Sequence, residues 1–161
     1  MLVDKTKTNT KTNKTVKNTT IYGTNPCKIS LWVFVTNLAV CLWMGEYTYA
    51  TLFIILITTS YFYRRVSKDD PQVHNTYLCW KYADLIAIQL AFWYGIYVYL
   101  WHTNRNPAPL IFAFYTMFFY YGGKRIGQFC GDPDKTTGLY YHSVLHLCAS
   151  AGHHSVLLDL I

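Results

Sequence analysis

Charge is what this sequence has least of. Asp, Glu, Lys and Arg make up 14% of 161 residues, and the acids include a single glutamate, Glu46. No glutamate is left over to serve a second carboxylate pair or an HExxH zinc motif. There is no GxSxG, no phosphate-binding glycine loop and no dinucleotide fingerprint, so the commonest hydrolase and nucleotide-enzyme signatures are absent. The five cysteines, Cys27, Cys41, Cys79, Cys130 and Cys148, show no CxxC and no regular spacing, which predicts no disulfide framework. Cys41 and Cys148 are expected as small packing residues. The two aspartates of "CGDPDKTTG" are too few for a calcium loop.

The charges that exist are badly mixed. Uncharged runs stretch from Lys28 to Glu46, Glu46 to Arg64, Asp84 to Arg105, Arg105 to Lys124 and Lys135 to Asp159. Each is long enough for a membrane helix, which takes about 17–25 residues. Tyr and Trp gather near the run ends, as in interfacial belts. The runs carry no charged stripe at helical period, as a soluble bundle would. The expected fold is therefore all-α, a multi-pass transmembrane bundle with spans near 29–45, 47–63, 83–101, 107–123 and 138–158. Thirteen of the fourteen Lys and Arg then fall on one side, with only Arg105 opposite. By the positive-inside rule the N-terminus is cytosolic and the C-terminus outside. The net charge of +6 reports that topology and not nucleic-acid binding. Residues 1–28 are Lys/Thr/Asn-rich with little to bury, and are expected as a disordered cytosolic tail that is not a signal peptide.

Against this background the last run is unusual. "YYHSVLHLCASAGHHSVLL" carries four of the six histidines. His142 and His146 are four apart and share a helix face; His153 returns to that face about 10 Å deeper, and His154 points away. In "TTSYFYRR" Ser60 and Arg64 also share a side, near the cytosolic end of the second span. "WKYADLIAIQ" places Asp84 in the first turn of the third. Three helices thus bring Ser60, Arg64, Asp84, His142 and His146 to one depth, and ionisable groups in a membrane face the bundle interior. Arg64 has two plausible roles, snorkelling to the headgroups or pairing with Asp84. Two imidazoles at this spacing suit either a metal or an interface.

These motifs have a familiar order. "TSYFYR", "KYADLIAI" and "YHSVLHLCASAG" resemble the second, third and last helix motifs of the hemolysin III, progestin/adiponectin-receptor and alkaline ceramidase superfamily. The resemblance implies zinc held by His142 and His146 of the last helix and by a residue of the second. It also implies Asp84 touching the metal's water as the proton acceptor, and Ser60 supporting the site. Two departures follow. The superfamily has seven core helices, whereas this chain has room for five, so an oligomer is one expectation. Arg64 stands where the third histidine belongs, and a guanidinium has no lone pair for a metal. A third ligand would have to come from His74, Cys79, Cys130 or Asp84. The candidate functions are a zinc-dependent lipid amide hydrolase, a non-catalytic receptor-like or structural relative with a decayed site, or a haem protein clamped by His102 and His153 or His154. Membrane lipids are the expected partners.

Overall fold

The computed structural model describes residues 29–66, 73–102 and 106–161. The tail 1–28, with Cys27, and Arg105 lie outside the described residues. Helix is the only regular structure among those described, in five main pieces: α1 (Val33–Met44), α2 (Tyr47–Arg65), α3 (His74–His102), α4 (Ala108–Met117) and α5 (Lys135–Leu158). Each falls on one of the five expected runs.

Local chemistry sets the ends. α1 stops at Gly45, whose φ of 76° is left-handed, and the Gly45 N–H turns back to the carbonyls of Cys41 and Leu42. Glycine adopts that conformation without a Cβ clash, so α1 and α2 form a tight helical hairpin. α3 starts at His74, nine residues ahead of the expected span, because the stretch before Asp84 contains no glycine or proline to stop it. At 29 residues it is about 44 Å long. Among the described residues it is the one helix long and apolar enough to cross a membrane. α4 begins after Pro107 and passes into a π turn, Phe118–Gly122, before a last α turn, Gly123–Ile126.

Asp134 caps α5, accepting from the Thr137 N–H at 3.0 Å, the Thr137 hydroxyl at 2.7 Å and the Thr136 N–H at 3.4 Å. These bonds hold its carboxyl below the usual carboxylate range. The cap is therefore complete at neutral pH and is lost as the pH falls through that lowered value. Hydrogen-exchange protection at Thr136 and Thr137 should drop in acid, and should be low at every pH in Asp134→Ala.

The core lies between α1, α2, α3 and α5. Tyr49, Phe53, Leu56 and Ser60 form the buried face of α2. Opposite them α3 presents Ala87, Ala91 and Gly95, three small residues at four-residue spacing that let the two helices approach closely. Cys41 is fully buried, as a packing residue should be. The outside is very different: Trp32, Trp43, Tyr47, Trp93, Trp101 and Phe114 are among many large apolar side chains left exposed.

Candidate functional site

Ser60 and Asp84 meet across the α2–α3 contact. Asp84 lies three residues before Ala87, on the same face as the small stripe, and this aims its carboxylate at α2. The Ser60 hydroxyl donates to Asp84 Oδ1 in a short hydrogen bond. Thr59 adds a long contact of 3.5 Å to the same oxygen, while its hydroxyl also turns back to the Ile55 carbonyl at 2.9 Å. With α3 starting at His74, Asp84 sits about 15 Å along the helix rather than in its first turn.

On α5 the rings of His142 and His146 lie edge to face with centroids 4.8 Å apart, as the four-residue spacing requires. His146 is 7% exposed, and both of its ring nitrogens are engaged. Nδ1 is 2.8 Å from the Ser30 hydroxyl, and Nε2 is 3.1 Å from Arg64 Nη2. A guanidinium only donates, so Nε2 must supply its lone pair and the ring proton sits on Nδ1, facing Ser30. Arg64 therefore does not simply snorkel. Its charge acts on Asp84, His142 and His146 alike.

This arrangement does not fit the zinc that the superfamily resemblance implies. The Nε2 lone pair that would bind the ion is used by Arg64, and a divalent cation would sit beside a permanent positive charge. Nor do the proposed third ligands converge on the pair. His74 is exposed at the far start of α3, and Cys79, also exposed, points about 140° around the helix from Asp84. Cys130 belongs to the 3-10 turn Phe129–Gly131, and Oδ1 of Asp84 accepts from Ser60 and Thr59. Among the described residues no three His, Cys, Asp or Glu side chains are grouped for a metal.

The deeper histidines serve other helices. His153 Nδ1 meets the Tyr49 hydroxyl at 2.5 Å, and its ring stands edge-on to Phe53. Gly95 makes room for this pair: a Cβ there would lie 2.9 Å from the Tyr49 oxygen and 3.1 Å from His153. His154 donates from Nδ1 to Asn37 Oδ1 at 2.9 Å. Asn37 donates in turn to the Ser150 carbonyl at 3.2 Å, and the Ser150 hydroxyl donates to Asn37 Oδ1 at 3.2 Å. His153 thus carries the His146 face deeper, onto Tyr49 and Phe53 of α2, and His154 has a partner. The haem pair gains nothing, since His102 packs against Tyr97 while His153 and His154 are bonded to Tyr49 and Asn37.

Ser30, Asn37 and Tyr49 were not legible as site residues from ionisable groups alone. The available signal was spacing: Ser30 and Asn37 are seven apart on one face of the first run, matching His146, Ser150 and His154 at four-residue spacing on the last. Comparison with models of known families, with curated proteins and with solved structures gives no match to this chain, so its half-buried arginine–histidine pair is interpreted from its own geometry.

Proposed function

We propose that this chain is a multi-pass membrane protein on the scaffold of the hemolysin III, progestin/adiponectin-receptor and alkaline ceramidase superfamily, with a guanidinium in the metal's place. It then works as a receptor-like or structural protein and hydrolyses no lipid amide. The observation that carries this reading is the 3.1 Å contact between Arg64 Nη2 and His146 Nε2. A fixed cation there joins α2 to α5, and it acts on Asp84 of α3 without the open coordination position that hydrolysis requires.

Several features support the membrane placement. Many large apolar side chains, Trp32, Trp43, Trp93 and Trp101 among them, are exposed around the bundle, whereas soluble monomers rarely expose large contiguous apolar patches. Trp43, Tyr47 and Trp101 lie at one set of helix ends, and Trp32, Tyr82 and Tyr140 lie toward the other. The lopsided Lys and Arg distribution orients the N-terminus to the cytosol. Membrane lipids are its immediate partners, and a second copy is a natural way to widen so thin a bundle.

The test is hydrolysis of ceramide and related lipid amides by the detergent-purified chain, with added zinc and after chelation. The expected result is no turnover above blank in either condition and an unchanged melting temperature after chelation. Zinc-dependent turnover that disappears in Asp84→Asn would overturn the proposal.

A further inference from the structure

A second feature involves the same helix end but faces outward. Beside the last turns of α2 lies a groove of about 520 Å³, walled by Leu31, Trp32, Ile57, Phe62, Arg64 and Arg65. Its lining is amphiphilic in a definite order. Ile57 and Leu31 are purely apolar, Trp32 is 68% exposed at its edge, and the two arginines close the α2 end. No acidic side chain is among the described residues that line it. From Ile57 to Arg65 the groove follows about 12 Å of helix, the scale of a lipid's glycerol region and its first methylenes.

We propose that this groove holds one anionic phospholipid, with the phosphate on Arg65 and the upper acyl chain along Trp32, Ile57 and Phe62. The inference rests on the membrane placement above. Arg65 is exposed, and its guanidinium lies 4.9 Å from the centre of the Tyr61 ring, which fixes its plane and leaves N–H edges for a phosphate. Phe62 stacks on Trp80 of α3 with centroids 4.7 Å apart, so that wall is held in place. Arg64 adds positive charge from a fixed position, because its Nη2 is held at His146. A basic pocket between helices on the cytosolic side is suited to anionic headgroups and gives a zwitterionic lipid no comparable gain.

Quenching of Trp32 by brominated-chain lipid tests this on the full chain in neutral detergent. The Trp32 component is the difference between wild type and Trp32→Phe. Brominated phosphatidylglycerol should reach half-quenching at about five-fold lower lipid fraction than brominated phosphatidylcholine, the worth of one basic side chain near an anionic surface. Arg65→Gln, which leaves the His146 contact alone, should remove that preference. Equal quenching by both lipids in the wild type, or a preference that survives Arg65→Gln, would overturn the lipid site. So would displacement of the quenching lipid by millimolar inorganic phosphate, which would make the ligand a free anion. A chain that stays dispersed without detergent and is quenched by neither lipid would instead remove the membrane placement itself.

Discussion

Arg64→Leu is expected to destabilise the bundle by about 3 kcal/mol, the upper end of what a hydrogen bond from a charged donor contributes. Two groups lose their complement at once. His146 Nε2 loses its donor, and the Asp84 carboxylate loses the cation whose field reaches it. His146 is 7% exposed and has little water to turn to, while Asp84 is half-buried. Arg64→Lys restores the charge but not the planar fork that reaches His146, so it should recover only part of the loss. Arg65→Leu, one residue on and exposed, should change stability by no more than about 0.5 kcal/mol. Midpoints of unfolding in a graded SDS/detergent series give the comparison. Equal effects at the two positions would mean that Arg64 is a headgroup anchor and nothing more.

Asn37→Leu comes next in size, at about 2 kcal/mol. Asn37 is 0% exposed and joins α1 to α5 through Ser150 and His154. Leucine fills similar space, so packing changes little, but the His154 N–H loses its acceptor and the Ser150 carbonyl its donor, while the Ser150 hydroxyl keeps the Val33 carbonyl at 3.2 Å. Side-chain hydrogen bonds between membrane helices average about 0.6 kcal/mol and reach about 1.7, so losing the cluster gives a sum near 2. Removing both partners tests the assignment: Asn37→Leu combined with His154→Leu should cost less than the two single changes added together. Additive costs would show that the two residues do not interact.

The helices themselves were legible in the charge gaps, because an uncharged run of that length has few alternatives to a helix. Their ends were less so. The uncharged run begins at Asp84, yet α3 continues back to His74 because nothing in "HNTYLCWKY" breaks a helix. The π turn at Phe118–Gly122 left no mark in the charge pattern that located α4. In the site, four-residue spacing put His142 and His146 on one face of α5, where their rings meet, and shared depth put Ser60 and Asp84 at one level, where they bond. That reasoning started from charged residues and histidines, and the first run has neither, so Ser30 and Asn37 appeared only with the packing. Arg64 was ambiguous for a physical reason, because a long flexible side chain at a helix end reaches both the headgroups and the bundle interior.

Metal content of the wild type and of Arg64→His tests the central claim most directly. Imidazole is shorter than the arginine side chain, and the space released lies between position 64 and His146 Nε2, where a zinc ion needs nitrogens at about 2.0–2.1 Å. The account predicts no stoichiometric zinc in the wild type purified without chelator, and stoichiometric zinc in Arg64→His that disappears with His142→Ala/His146→Ala. Stoichiometric zinc in the wild type, lost in the same double variant, would contradict it.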